Sequence, residues 1–551
     1  MVERSGGELL VACLEAQGVT TAFGVPGESY LAVLDGLVDS GVRYVSCRQE
    51  GGVTYAAEAW GKLTGRPGIG FVTRGPGATN ASVGLHTAMQ DSTAMILFVG
   101  QAAMEHLERE AFQEVDYRAF FGPLVKWATQ IESADRIPEL ISRAYATAQS
   151  GRPGPVVIAL PENVLSARTV AEPGRPVRIP QPAPSRFDID ETLDLLDRAE
   201  QPLLLVGGGG WTPEARGALA AFAEHNDVPV ASAFRFHDLI DNDSSCYVGD
   251  AGVGMLSHVR RAITDADVIL AVGIRFGEMV TDAWTLFDLP NPTQTIVHIH
   301  ASDRELGKVV QANLPIHASP GAFLAELGGA TLRPSSSRSE WRAGLRSARL
   351  ASLPAPTQPG PLDMAAIMTW LQDRVPNDVI FTNGAGNFSI WPNKHFSFGP
   401  GMRLLAPQSG SMGYGLPAAI AAKLADPKRM VVCWAGDGDL QMNVQELGTA
   451  MQEGAQPIVL VLNNGMYGTI RMHQERTFPG RISGTEIANP DFVTLAKAYG
   501  FHAERVESTD EFAAAFDRAA ASPTGALLEL MVPSEMLAPT LSIDEARGAT
   551  S

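Results

Sequence analysis

The chain has 551 residues, a length that suggests roughly three or four domains of about 150 residues each. Hydrophobic residues make up 45% and charged residues 19% of the sequence, which is typical of a globular protein with a large core and excludes a disordered chain. The formal net charge of −19 argues against DNA, RNA or an anionic membrane as the main partner.

Cysteine usage and the N-terminus predict a cytoplasmic protein. The cysteines are Cys13, Cys47, Cys246 and Cys433. None forms a CxxC pair, which suits a reducing compartment and predicts no zinc site. The opening MVERSGGELLVACLEAQG lacks a basic segment followed by an apolar one, so we expect no signal peptide. The apolar runs AMILFVG and PIVLVL have the length of core strands and are too short to span a bilayer.

Two proline-rich stretches divide the chain into three segments. Residues 168–186 are rich in proline and arginine, and residues 332–362 are rich in serine, arginine and proline. Such stretches usually lie between domains, because proline removes a backbone donor and breaks regular elements. We therefore expect three domains, over residues 1–167, 187–331 and 362–551.

Each segment alternates short apolar strands with amphipathic helices. In chain order, the predicted strands of the first segment lie in TTAFGVPG, YVSCRQE, GIGFVTRG, AMILFVGQ and VVIALP. Those of the second lie in PLLLVGGG, VILAVGIRF and TIVHIHA, and those of the third in DVIFTNGAG, MVVCWAGDG, PIVLVLNN and ALLELMV. Apolar strands separated by helices are typical of parallel sheets covered on both faces, so we predict three consecutive open α/β domains. Ligands collect beyond the carboxyl ends of such strands.

The third segment has two polar turns at predicted strand ends. MVVCWA is followed by GDGD, which includes Asp437 and Asp439, and PIVLVL ends at Asn463 and Asn464. We expect one helix between them, and the two carboxyl ends then lie at one edge of the sheet. Asp437 and Asn464 would converge there as oxygen ligands that suit Mg²⁺ shared with a phosphate, and the helix start at Asp439 favours a bound diphosphate. A lone Gly-Asp-Gly is more often an ordinary turn.

The spacing between the two turns favours a cofactor site over two ordinary turns. GDG, then 24 residues, then NN resembles the thiamine diphosphate (ThDP) fingerprint of the pyruvate decarboxylase and acetolactate synthase superfamily. The resemblance implies pyrimidine-binding, central and diphosphate-binding domains, with ThDP and Mg²⁺ as cofactors. It implies that Asp437, the Asn464 side chain and the Met466 carbonyl bind the metal. The other residues that it places at this end of the cofactor are Gly436, Gly438, Asp439 and Tyr467.

A block of the first segment, from RQE to GPGATN, is similar to the part of this family that binds the aminopyrimidine ring. The resemblance implies that Glu50 is the partner of ring atom N1′, whereas on the residues alone a glutamate that starts a helix explains Glu50 better. By the same resemblance Pro26 and Asn80 border the cofactor.

Two blocks of the third segment also resemble cofactor-binding segments of the family. They are SGSMGYGLP, with Gly410 and Met412, and NGAGNFSIW, with Asn387 and Phe388. The resemblance implies that Met412 is the bulky residue that bends ThDP, although a methionine is usually a plain core residue.

Over nearly its whole length the chain is similar to the acetolactate synthase (acetohydroxyacid synthase) large subunit. EAFQEVDYRAFFGPLVKW places Phe112, Gln113 and Lys126 at the family's active-site positions. This implies decarboxylation of a small 2-oxo acid and transfer to a second carbonyl, with pyruvate to 2-acetolactate as the named reaction. It also implies a homodimer with active sites at the interface, often a homotetramer. Arg152 and Arg275 stand where the family contacts FAD, although a turn and a surface arginine explain them as well.

Departures from the family leave the substrate and FAD undecided. His473 stands where the synthases have a tryptophan that shapes the pocket, and Glu28 and Ser29 face the presumed cofactor. IHASDRELG lacks the aspartate pattern of the nucleotide-binding relatives. The alternatives are a ThDP-dependent decarboxylase or C–C lyase with a bulkier substrate and, in a different class, a non-catalytic subunit. The complete ThDP and metal set argues against the last.

Overall fold

The computed structural model describes residues 3–548, so residues 1 and 551, the outer limits of the predicted first and third domains, lie outside the described residues. The described chain contains three six-stranded parallel sheets, each formed by one of the three segments in turn. The predicted fold class, three consecutive open α/β domains, is confirmed. No helix within residues 3–548 is both long and apolar enough to cross a membrane.

The first domain contains eight strands and seven helices among the described residues. Its strands are β1 (Arg4–Ser5), β2 (Thr21–Gly24), β3 (Arg43–Ser46), β4 (Gly68–Val72), β5 (Met95–Gln101), β6 (Trp127–Gln130), β7 (Pro155–Pro161) and β8 (Arg168–Thr169). Its helices are α1 (Gly6–Ala16), α2 (Leu31–Val38), α3 (Glu50–Thr64), α4 (Gly75–Asp91), α5 (Tyr117–Phe121), α6 (Ile137–Gln149) and α7 (Glu162–Ser166).

The main sheet of this domain has the order β3-β2-β4-β5-β7-β6, while β1 and β8 form a separate antiparallel pair. Strands β4, β5 and β7 are buried at every residue, which explains why their sequences are apolar except for Gln101. Strand β6 is absent from the predicted set because its residues, WATQ, are half-buried at the sheet edge and form no apolar run.

The middle domain has the sheet order β11-β10-β9-β12-β13-β14. Its strands are β9 (Pro202–Val206), β10 (Val230–Ala233), β11 (Tyr247–Ala251), β12 (Val268–Val272), β13 (Thr295–His300) and β14 (Leu314–His317). Its helices are α8 (Arg186–Arg198), α9 (Pro213–His225), α10 (Ser257–Thr264) and α11 (Pro320–Leu327). The sequence predicts only β9, β12 and β13, because the other three strands are short and interrupted by small, polar or proline residues.

The second expected linker is partly helical. Within residues 332–362 the chain forms α12 (Ser336–Ser352), whose N-cap Ser335 accepts a hydrogen bond from the Arg338 backbone. Arg338, Leu345 and Arg349 are buried against the middle domain and its neighbour. The sequence analysis did not predict this helix, because it gave weight to prolines that all lie outside Ser336–Ser352. The two buried arginines donate hydrogen bonds to the Asn226 and Lys394 carbonyl oxygens.

The third domain has the sheet order β16-β15-β17-β18-β20-β19. Its strands are β15 (Ile380–Asn383), β16 (Arg403–Leu405), β17 (Val431–Gly436), β18 (Ile458–Asn463), β19 (His502–Val506), β20 (Ala526–Met531), β21 (Met536–Ala538) and β22 (Leu541–Ser542). Its helices are α13 (Met364–Arg374), α14 (Ile390–Lys394), α15 (Gly415–Ala425), α16 (Asp437–Gln441), α17 (Leu447–Glu453), α18 (Gly468–Thr477), α19 (Phe492–Ala498), α20 (Thr509–Ala520) and α21 (Ile543–Gly548).

The segment between β17 and β18 differs from the single helix that the sequence predicts. Helix α16 ends at Gln441, a 3₁₀ turn covers Val444–Glu446, and α17 begins at Leu447. The Asn443 side chain donates a hydrogen bond to the Gly413 carbonyl oxygen, 2.9 Å away. This contact with another loop replaces helical hydrogen bonding at the break.

The first and third domains share one hydrophobic core. Helix α3 of the first domain packs on α15 of the third, and both helices are rich in alanine at the contact. Small side chains let the two helices approach closely. The first and third domains therefore form one packed unit, although the middle domain separates them in the sequence.

Candidate active site

Asp437 and Asn464 converge at the carboxyl ends of neighbouring strands. Asp437 follows β17, Asn464 follows β18, and the two strands pair in parallel. The Gly465 N–H donates to Asp437 Oδ2 at 2.8 Å, and the Met466 N–H donates to Asn464 Oδ1 at 3.2 Å. The two predicted metal-binding side chains therefore belong to one turn region.

Asn489 completes this region and was not found from the sequence. Its Nδ2 donates to Asp437 Oδ2 at 2.7 Å and to Asn463 Oδ1 at 2.9 Å. Burial raises the pKa of Asp437, while the hydrogen bonds from Asn489, Gly438 and Gly465 oppose that rise. The only sequence signal for Asn489 is an Asn-Pro loop, which is common in turns.

A cavity of about 240 Å³ opens beside this turn. The predicted cofactor residues that line it are Asn387, Phe388, Gly410, Met412, Gly436, Asp437, Gly438, Asp439, Asn464, Met466 and Tyr467. A Cβ on Gly436 would lie 2.7 Å from the Phe388 ring, and one on Gly438 would lie 2.6 Å from the Tyr467 ring. The turn needs both glycines because two aromatic side chains lie directly against it.

The chemistry of this cavity fits Mg²⁺ and a diphosphate. Asp437 supplies a carboxylate, Asn464 an amide oxygen and Met466 a backbone carbonyl, all hard oxygen ligands. No cluster of three or more His, Cys, Asp or Glu side chains suited to a metal occurs in the described part of the chain. Because the protein provides so few charged ligands, phosphate oxygens and water would complete the coordination.

Asp439 joins two loops that line the cavity. Its Oδ1 accepts hydrogen bonds from the Ala385 and Gly413 N–H groups, each at 3.0 Å. Burial raises the pKa of Asp439 to about 7. Asp439 thus braces the loop of Asn387 against the loop of Met412.

First-domain side chains support the Met412 loop from the other side. Tyr55 on α3 hydrogen-bonds the Ser411 hydroxyl, and its OH lies 3.4 Å from the Met412 carbonyl oxygen. Asn387 is fixed by its Nδ2, which donates to the Leu537 carbonyl at 2.6 Å. The loops at both ends of the cavity are therefore held before any ligand binds.

Glu50 starts α3 and lies away from this cavity. Its Oε2 accepts a hydrogen bond from Asn80 Nδ2 at 3.0 Å, while Pro26 and Asn80 are exposed. None of these three residues lines the third-domain cavity of the same chain. The structure brings Glu50 and Asn80 together but does not bring them to Asp437.

Gln113 and Glu50 both border the first turn of α4, Gln113 at Gly75 and Glu50 at Gly77. It has a positive φ of 62°, and its carbonyl oxygen accepts a hydrogen bond from Gly75 N–H, at the start of α4, at 2.9 Å. Its side-chain Oε1 is buried and has no hydrogen-bond partner among the described residues. Phe112 beside it is 71% exposed, an unusual state for a phenylalanine.

Lys126 is not part of the Glu50 group. It precedes β6 and so lies at the amino edge of the sheet, whereas Glu50 follows the carboxyl end of β3. Its Nζ donates to the Ser150 carbonyl at 2.6 Å, and burial together with the charge of Arg152 lowers the pKa of Lys126 to about 8. The predicted catalytic role of Lys126 is therefore not supported within this chain.

Each of the two arginines predicted to contact FAD makes a contact between the first and middle domains. Arg152 donates to Ser92 Oγ at 3.0 Å and pairs with Glu305 at 3.1 Å, while Arg275 donates to the Gln90 carbonyl at 2.5 Å. A second cavity, of about 600 Å³, lies between the three domains, but neither arginine lines it. Contact of these two arginines with FAD stays a prediction.

The glycine-rich end of β9 borders that second cavity. A Cβ on Gly209 would lie 2.3 Å from the Ser92 carbonyl oxygen of the first domain. Close packing of two domains accounts for this glycine, so the run of glycines does not by itself indicate a phosphate site.

The three predicted pocket residues differ in their surroundings. Ser29 is fully buried and hydrogen-bonds Thr73 Oγ1 at 3.0 Å, so it does not face a pocket. Burial follows from its packing against Gly100, where a Cβ would lie 1.9 Å from Ser29 Oγ. Glu28 is exposed at the carboxyl edge of the first sheet, and His473 is exposed on α18, one turn after the cavity residue Ile470.

Three family models match the chain, each over a different domain. They describe thiamine pyrophosphate (ThDP) enzymes: the N-terminal TPP binding domain matches residues 4–120, the central domain residues 189–327, and the C-terminal TPP binding domain residues 384–530.

Curated relatives match over most of the chain. The acetolactate synthase isozyme 2 large subunit of Escherichia coli is 31% identical, over 93% of this chain and 93% of its own length. The acetolactate synthase large subunit of Corynebacterium glutamicum is 33% identical over 94% and 84%, and the probable large subunit of Methanocaldococcus jannaschii 31% over 97% and 93%. With all three domains present in order, the chain belongs to the thiamine pyrophosphate enzymes, in the family that contains the acetolactate synthase large subunits.

Proposed function

We propose that this enzyme uses ThDP and Mg²⁺ to condense two molecules of pyruvate into 2-acetolactate with release of CO₂. The observation that carries the proposal is the Asp437–Asn464 turn, which lines a cavity with hard oxygen ligands suited to Mg²⁺ and a diphosphate. The names of the relatives support pyruvate as the substrate.

The proposed roles of the residues follow from their chemistry. Asp437, Asn464 and the Met466 carbonyl would hold Mg²⁺, and Met412, which lines the same cavity, would contact the cofactor. When bound, ThDP supplies the nucleophilic carbon that attacks a keto group and accepts the electrons released with CO₂. Glu50 exchanges a proton with the aminopyrimidine N1′, which is general acid–base work. The side-chain amide N–H groups of Gln113 would donate hydrogen bonds to oxygen atoms of the substrate.

The proposed assembly is a homodimer, or a homotetramer built from such dimers, in the cytoplasm. Glu50 and Asn80 lie outside the cavity of their own chain, so we propose that they serve the cavity of a second copy. FAD is left out of the proposed reaction because Arg152 and Arg275 are engaged with Glu305 and Gln90. Absence of a flavin spectrum from the purified protein would agree with this.

The test is to supply ThDP, Mg²⁺ and a panel of 2-oxo acids and to identify products by mass spectrometry. We expect 2-acetolactate from pyruvate. Turnover only with bulkier acids, or release of an aldehyde without condensation, would overturn the proposed reaction while leaving the cofactor assignment intact.

A further inference from the structure

The turn that presents Glu50 is held by a carboxylate from the third domain of the same chain. Glu446, in the 3₁₀ turn before α17, is 1% exposed. Its Oε1 accepts hydrogen bonds from the Arg48 and Gln49 N–H groups, each at 3.0 Å. These two backbone donors immediately precede Glu50.

The fit around this carboxylate is tight on both sides. Thr449 donates its hydroxyl to Glu446 Oε2 at 2.6 Å. A Cβ on Gly52 would lie 2.6 Å from Glu446 Oε1, so a side chain at position 52 would displace the carboxylate. The Gln49 side-chain oxygen accepts hydrogen bonds from the Gly51 and Gly52 N–H groups, which follow Glu50. The two N–H groups before Glu50 therefore donate to Glu446, and the two after it donate to Gln49.

Other contacts also join the first and third domains, so holding these domains together does not depend on Glu446 alone. Arg43 pairs with Glu453 at 2.8 Å, and Lys62 donates to the Ala406 carbonyl at 3.0 Å. Those contacts involve the side chains of residues that lie seven positions before and twelve positions after Glu50 in the sequence. Glu446 instead fixes main-chain atoms one and two residues before it.

We propose that Glu446 is a positioning residue that sets the location of the Glu50 carboxyl group for proton exchange with the cofactor. This rests on the proposed function of Glu50. The third domain would then control a group that serves the active site of the other subunit. A displacement of about 1 Å at a reacting group can cost about 100-fold in rate, so the loss of this anchor has a measurable effect.

The test compares Glu446→Ala with Glu446→Gln. In the alanine variant two N–H groups lose their acceptor, and we expect hydrogen–deuterium exchange at C2 of bound ThDP to slow by about 10- to 100-fold. The ThDP Kd should change by less than about threefold, because the metal turn is untouched. Glutamine keeps an acceptor oxygen for both N–H groups and can donate to Thr449, so it should restore most of the rate. Without cofactor, amide exchange at Arg48 and Gln49 should rise in the alanine variant alone.

A second variant and a control allow the proposal to be tested even if Glu446→Ala does not fold. Gly52→Ala disturbs the same contact from the first domain and should also slow C2 exchange. Glu453→Ala removes a contact between the same domains and should not. Parent-like exchange in Glu446→Ala or Gly52→Ala, or an equal loss in Glu453→Ala, would overturn the inference. If Glu50→Gln itself exchanged at the parent rate, the proposed role of Glu50 would fail first.

Discussion

At the residue scale, Asp437 is held by protein hydrogen bonds before it meets a metal. Gly438, Gly465 and Asn489 all donate to its carboxylate, at 2.9, 2.8 and 2.7 Å. The carboxylate is therefore oriented before a metal binds. Substitution of Asp437 removes the metal ligand itself, whereas substitution of Asn489 removes only a residue that orients it.

We expect Asp437→Ala to weaken ThDP binding in the presence of Mg²⁺ by more than about 100-fold, because one hard ligand is removed. Asn489→Ala should weaken binding by about 10- to 100-fold, the usual effect of losing an orienting partner. Calorimetric titration measures both. Thermal unfolding provides the control for folding, and ThDP affinity that is unchanged in Asp437→Ala would refute the metal assignment.

Glu50→Gln keeps the size and reach of the side chain but cannot deliver a proton to N1′. We expect C2 exchange on bound ThDP to slow by about 10²- to 10⁴-fold, the usual contribution of a positioned acid–base group. ThDP affinity should change far less, since the metal turn lies in another domain. Acid quench and NMR measure the exchange. Exchange at the parent rate would leave Glu50 as a helix-start residue only.

The sequence predicted the functional residues at strand ends but not the residues that hydrogen-bond to those regions. Asp437 and Asn464 follow apolar strands, so parallel pairing alone brings them together. Asn489 and Glu446 contact those regions from loops and turns with no fixed spacing, and only the folded chain shows the contact. Ser29 was misplaced because a sequence does not show that a neighbouring glycine makes room for its side chain.

At the scale of elements, β13 ends in a histidine that makes the middle domain sensitive to acid. Burial, reinforced by the charge of His298, lowers the pKa of His300 to about 4. The unfolded chain takes up this proton near pH 6.5 and the folded chain does not, so stability is lost as pH falls from about 6.5 to 4.

His300→Asn should reduce this acid sensitivity. The Asn side-chain oxygen can accept the hydrogen bond that Ser302 N–H gives to His300 Nδ1 at 2.9 Å, without taking up a proton. We expect the free energy of unfolding of the variant to increase relative to that of the parent as pH falls over this range. Denaturant unfolding at several pH values measures this, with the exposed His225→Asn as control. A constant difference between variant and parent would contradict the assignment.

Strands with continuous apolar runs were predictable, whereas most strands that are short or partly exposed were not, with the edge strand β3 as an exception. Strands such as β5 and β18 are buried throughout and carry continuous apolar runs. Strands β6 and β19 lie at sheet edges with half-exposed residues, so their sequences resemble loops. The break after α16 was missed because the apolar spacing continues through it, while Asn443 bonds to a loop distant in sequence.

At the scale of the whole molecule, the separation of Glu50 from the Asp437 cavity makes the proposed assembly testable. A mixed dimer of Glu50→Gln and Asp437→Ala chains would have two shared sites, one with both native residues and one with both changed residues. The purified mixed dimer should then have about half of the parent activity, and a randomly mixed population about a quarter, although each variant alone is inactive. Co-expression with two affinity tags isolates the mixed dimer. No recovery would place Glu50 and Asp437 in one chain's own site.

The shared core of α3 and α15 has a consequence for synthesis of the chain. Helix α15 follows α3 after about 350 residues, so at about 5–20 residues per second a ribosome completes it roughly 20 to 70 s later. During that time the alanine-rich face of α3 has no native cover, while folding of a small unit takes far less time. Neighbouring ribosomes on one messenger carry chains at different stages, so an α15 from a leading chain can reach this face first. Exchange of whole domains between nascent chains therefore competes with folding within one chain, most strongly where translation is slow.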